Sequence, residues 1–188
     1  VKTDPELPVA RLGRGNAALH IDRPSAGELE TARDDFARYV ELEPEESEGH
    51  TGLALVLVRQ GKIDAGIAAG EAVREQASGD SVYFYNMACV YGRAIEQLEA
   101  HSTPAQPEQK SQIEDFRTRG VALLQESIDN GLDDSNLSWM QEDPDLKTIR
   151  QSLAFAELLK KHLGNKDAES PEKAEPNEIA PPKEKVEL

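Results

Sequence analysis

Catalysis and metal binding need acids, imidazoles, thiols or activated hydroxyls at particular spacings, so the residues able to do chemistry come first. The histidines are His20, His50, His101 and His162, and none is followed three or four residues on by a second ligand of the sort zinc-binding helices use. His50 falls within an apolar helical stripe, which predicts a packing role. Cys89 is the only cysteine, which rules out an internal disulfide and leaves no cysteine-based metal motif. Glu41, Glu43, Glu45 and Glu46 are dense but lack the Asp-x-Asp-x-Asp-Gly spacing of a calcium loop, so a solvated turn is expected. Asp133-Asp134 and Asp143-Pro144-Asp145 read as turn and helix-start chemistry, the latter opening a final helix. No glycine-rich phosphate loop, kinase catalytic motif or nucleophile elbow occurs. The expectation is a protein without catalysis, cofactor or metal.

The elements that would position any site are helical. Ala32, Phe36, Tyr39 and Val40 share one face, closed by Leu42 and Pro44. Leu53, Ala54, Leu57 and Val58 form a second stripe ending near Gly61, and Ile63, Ile67, Ala68 and Val73 a third ending around Ser78-Gly79-Asp80. Phe84, Met87, Ala88 and Tyr91 begin a fourth, and Phe116, Val121, Leu124 and Ile128 a fifth that ends at Gly131. Nothing alternates with period two, so no strand is predicted. A helix over Val9 to His20 and a last one carrying Phe155, Leu158 and Leu159 complete the set.

Composition sets the limits of the domain. With 188 residues there is room for one core plus appendages. Residues 1–8 read as a loose end and 9–164 as the helical domain. The segment 165–188 holds four prolines, seven acids and four lysines, so it is predicted to be disordered. The net charge of −15 repels phosphate backbones and anionic lipid, so neither nucleic acid nor membrane is an expected partner. The longest strongly apolar run, Leu53 to Val58, is far short of the roughly 20 residues of a membrane span. A cytoplasmic location is the expectation.

A repeat orders these helices. Pro44 and Ser78 close successive helix pairs 34 residues apart, with a turn at Gln60-Gly61-Lys62 inside the pair from Ser47 to Asp80. This unit resembles the tetratricopeptide repeat, with Leu53-Ala54, Leu57 and Gly66 at signature positions. It departs at His50, Gly70 and Ser78, where the family has a large apolar residue, an aromatic residue and a proline. The next unit carries Phe84, Met87, Ala88 and Tyr91 in the first-helix positions, and an insertion of about twenty residues follows around Ser102 to Pro107. The order from Tyr85 to Tyr91, then Ile128-Asp129-Asn130-Gly131, Asp143-Pro144-Asp145-Leu146 and Phe155 resembles terminal tetratricopeptide modules. Such modules occur in repeat proteins and at the C-terminus of some bacterial eukaryote-like Ser/Thr kinases.

The resemblance implies an all-α fold, a short right-handed superhelical solenoid of α-α hairpins with a C-terminal capping helix. It implies a scaffold that binds a peptide or helix of a partner protein; the alternative is an accessory or regulatory C-terminal region of a larger enzyme such as a bacterial Ser/Thr kinase. The family's groove positions fall on Thr51, Leu55, Val58, Arg59, Tyr85, Cys89 and Arg93. Arg59 and Arg93 are then equivalent, and the expected partner segment has an apolar anchor and an acidic group.

Overall fold

The computed structural model describes residues 7–21, 23–100 and 107–163. Among them the chain is all helical, with no strand. The order is α1 (Pro8–Leu19), α2 (Ala26–Leu42), α3 (Ser47–Arg59), α4 (Ile63–Glu71), α5 (Ser81–Ala100), α6 (Pro107–Asp129), α7 (Asp134–Trp139) and α8 (Leu153–His162). Two 3-10 turns, Pro144–Leu146 and Ile149–Gln151, lie between α7 and α8. The predicted loose segment 165–188 and residues 1–6 fall outside the described residues.

Local chemistry accounts for the boundaries. Pro8 opens α1, where its missing N–H costs nothing, so the helix begins one residue before the expected limit. Ser25 and Glu28 form a reciprocal capping box at α2, with Ser25 N donating to Glu28 Oε2 at 2.7 Å. Gly61 makes the α3–α4 turn with φ +78°, a conformation that side chains resist. The carboxylate of Asp133 accepts from Ser135 N and Asn136 N and starts α7. Its bonds from Ser135 and Asn136 hold the Asp133 carboxyl at about 2.

Each early helix packs on its neighbours in sequence: α1 on α2, α3 on α4, and α5 on α6. In addition, α3 touches both α1 and α5. The main core joins α3, α4 and α5 to everything that follows, with Tyr83, Tyr91, Met87, Leu124, Leu146 and Ile149 fully enclosed. A smaller cluster centres on Phe36, with Leu29, Ala32 and Val56. His50 behaves as a packing residue. It is buried, and its ring nitrogens lie 2.9 Å from Pro44 O and 3.1 Å from Ala69 O, tying the α2–α3 loop to α4.

Asp35 is an ionisable group at the α1–α2 contact, only 2% exposed. Arg14 Nε donates to its Oδ2 at 2.9 Å and Arg11 Nη1 to its Oδ1 at 2.9 Å. Burial alone would push the Asp35 carboxyl up, but the Arg14 and Arg11 bonds outweigh it and the net shift is downward. A depressed folded pKa adds stability above the unfolded value of about 3.9, which is lost as pH falls through the folded value. Asp35→Asn should therefore cost most at neutral pH and progressively less below about pH 4. Urea unfolding of both proteins from pH 2 to 7 measures it; a gap independent of pH would refute the pairing.

Candidate binding pocket and the docked turn

The face where α1, α3 and α5 run together carries an open cavity of about 280 Å³. Thr51 and Leu55 of α3 and Tyr85 and Cys89 of α5 line it, four of the seven expected groove residues. Asn16 and Asn86 add amides to the wall, and Asn16 Nδ2 donates to Glu48 Oε1 at 2.8 Å. Thr51 is itself buried, its hydroxyl donating to the Ser47 and Glu48 carbonyls at 3.2 Å.

The remaining three expected residues are placed otherwise. Val58 is fully buried and turns toward α4, where it lies against Gly66, so it does not line the groove. Helix geometry explains this: relative to Leu55, positions three and four residues on diverge by about 100°, so Val58 and Arg59 cannot both centre on one groove. Arg59 and Arg93 do converge, but on the chain's own Asp145. Arg93 Nε donates to Asp145 Oδ1, and Arg59 Nη2 lies 3.4 Å from the same oxygen. Arg93 also pairs with Glu96 at 2.6 Å, and Arg59 donates to the Leu19 carbonyl at 2.9 Å.

Asp143 to Leu146 therefore does not open the final helix, as its Asp-Pro pattern predicts. It forms a 3-10 turn docked against α5, and α8 starts ten residues later on the Ser152 cap. Tyr85 donates from its hydroxyl to Asp143 Oδ2 at 2.7 Å. Asp145 N donates to Asp143 Oδ1 at 2.8 Å, and Thr148 Oγ1 to the Gly92 carbonyl at 2.7 Å. Gly92 makes this approach possible, since a Cβ there would run into the Asp145 carbonyl oxygen. An acidic group on Arg59 and Arg93 beside an apolar anchor, Leu146, is the chemistry expected of a partner segment. Here it is intramolecular. Leu146 and Ile149 are both fully buried, and exposing them would cost about 1.5–3 kcal/mol each. The turn is thus a fixed wall of the pocket and no exchangeable ligand.

Cys89 Sγ, Asp143 and Asp145 offer donor atoms within 4.8 Å of one another. Burial, and then the neighbouring Asp143 and Asp145 carboxylates, raise the Cys89 thiol well above its ordinary range, so it stays protonated at neutral pH. Both carboxylates are already engaged, Asp143 by Tyr85 and Asp145 by the two arginines. Burial likewise raises the Tyr85 hydroxyl well above its ordinary range, so it stays protonated and donates to Asp143. This set holds the turn in place.

No protein-family model matches the chain, and neither a curated protein nor a solved structure matches it.

Proposed function

We propose that this chain is a non-catalytic scaffold of tetratricopeptide-like hairpins that binds a peptide or helix of a partner protein in the pocket between α1, α3 and α5. One observation carries the reading: three successive helix pairs set their first helices side by side, with α3 touching both α1 and α5, and leave an open cavity along that seam. In this arrangement each hairpin completes the core of the next, and the first helices form the inner surface. The cavity is lined by both amide and aliphatic groups, Asn16 and Asn86 beside Leu55 and the Leu19 side chain. Such a lining suits backbone hydrogen bonding and one modest apolar contact. No helix among the described residues is long and apolar enough to cross a membrane.

The test uses a photo-crosslinking residue placed at Leu55 in the pocket or at Ala65, which is exposed on α4. The expected result is a discrete adduct to one partner at position 55 and none at position 65. Adducts at 65 alone, or none at either position, would move the interaction elsewhere or remove it. The arginines are unsuitable for this purpose. Reversing Arg59 and Arg93 to Glu would set two new acids against Asp145 and undo the docked turn itself.

A further inference from the structure

The docked turn decides which charges the pocket between α1, α3 and α5 presents. Arg59 and Arg93 are engaged by Asp145 and do not line the cavity, whose walls hold no Lys or Arg. Three carboxylates do line it, those of Glu48, Asp143 and Asp145. The two arginines neutralise Asp145, whereas Glu48 and Asp143 have no ion-pair partner among the described residues. Glu48 accepts only from the Asn16 amide, at 2.8 Å. Asp143 is 7% exposed and accepts from the Tyr85 hydroxyl, the Cys89 thiol and the Asp145 amide, all neutral donors. Arg150 reaches the backbone carbonyl of Asp143 rather than its carboxylate. Among the lining residues only His20, which is exposed, can take up a positive charge. The half-buried Asn86 adds a side-chain amide with no hydrogen-bond partner among the described residues.

We propose that the pocket selects a basic side chain, a lysine or arginine of the partner segment. This rests on the reading of the chain as a peptide-binding scaffold and names the residue its pocket takes. A carboxylate buried as far as Asp143 without a cation has lost water and gained only neutral hydrogen bonds in return. Its donors use three of about four lone-pair sites, so one acceptor position stays open. A cation brought to Asp143 and Glu48 meets two uncompensated charges, in a recess where attraction exceeds that at the open surface. The acidic partner group expected from Arg59 and Arg93 would instead meet like charge there. Size favours a single side chain. Pockets that take whole small molecules run from about 300 Å³ upward, and this one has about 280 Å³. Leu19 and Leu55 give the methylene stem an apolar wall, and the Asn86 amide is available to the adjoining peptide group. A metal ion fits less well, because Asp145 is held by two arginines and the Cys89 thiol is protonated.

Retention of labelled nonapeptide pools on the immobilised full chain tests this. Each pool has Lys, Arg, Leu or Glu fixed at its centre and is random elsewhere. Since the net charge of −15 attracts any cationic peptide, two charge-matched variants are compared. Glu48→Gln removes an acid of the pocket, and Glu157→Gln removes an exposed acid on α8. The wild type should retain the Lys and Arg pools more strongly than the Leu and Glu pools. That preference should fall roughly two- to fivefold in Glu48→Gln, as for one partly exposed ion pair, and stay unchanged in Glu157→Gln. Leu55→Lys, which supplies the pocket with a cation of its own, should abolish it. Equal loss in the two charge-matched variants would assign the preference to the overall field and overturn the proposal. A preference that survives Leu55→Lys, selection of the Leu or Glu pool, or no retention of any pool would overturn it too. Crosslinking at Leu55 is read separately. A discrete adduct there without a basic preference would leave the scaffold standing and remove this inference alone.

Discussion

Tyr91→Ala should lower the unfolding free energy by roughly 3–5 kcal/mol, as aromatic truncations in a packed core do. Tyr91 is 1% exposed, and its ring meets Phe116 edge-on with centroids 5.4 Å apart. It belongs to the core that joins α5 to α6, the most extensive helix pair in the fold. Removing the ring leaves a void between two helices fixed on every side, and the surroundings can collapse into it only partly. Tyr91→Phe separates packing from the hydroxyl. The hydroxyl interacts with Arg119, an exposed side chain that water can solvate instead, so that loss is about 1 kcal/mol or less. Urea midpoints at unchanged slope measure both. A Tyr91→Ala protein as stable as the wild type would show that α5 does not pack through this face.

How much of this was legible in the sequence varies with the range of the interactions. The apolar stripes around Phe36, Ala54, Ala88 and Leu124 repeat at helical spacing, and all four residues are buried in helices. Periodicity works there because burial of one face is a local pattern. Gly61 and Gly131 mark turns with φ of +78° and +88°, a signal that a single residue carries. The short α7 went unread because six residues hold no period, although its Asp133 cap was visible as a turn acid. The docked turn was misread for a stronger reason. Asp followed by Pro is a fair helix-start signal, and the Asp143 carboxylate does accept from the Asp145 amide. What distinguishes a docked 3-10 turn from a helix start is its partners, Arg93 and Arg59, 52 and 86 residues away. No local pattern encodes that pairing. The equivalence of the two arginines and the Asp-Pro-Asp pattern are each legible in the sequence, but as separate features.

Asp145→Ala should be the most destabilising change among the polar groups of the site. Breaking a buried ion pair by removing one partner costs about 3–5 kcal/mol, because the remaining charge is left uncompensated. Asp145 serves two guanidinium groups with side chains 13% and 20% exposed, and is itself 18% exposed. Partial solvation reduces the penalty, so a loss of about 2–3 kcal/mol is expected, below the fully buried range. Glu96 remains for Arg93 but is 44% exposed, a weaker counter-ion than the enclosed Asp145. Arg59 keeps only the Leu19 carbonyl. The two cations then face each other across the space the carboxylate filled, and the turn carrying Leu146 loses its polar anchor. A thermodynamic cycle tests the cause. In a chain carrying Arg59→Met and Arg93→Met, the aspartate has no cation to neutralise, and Asp145→Ala should cost little or even stabilise. The coupling expected is within about 0.5–3 kcal/mol, the range for residues in one network. If Asp145→Ala costs the same in both backgrounds, the carboxylate acts only through its backbone turn, and the arginines are not what holds Asp143 to Leu146 against α5.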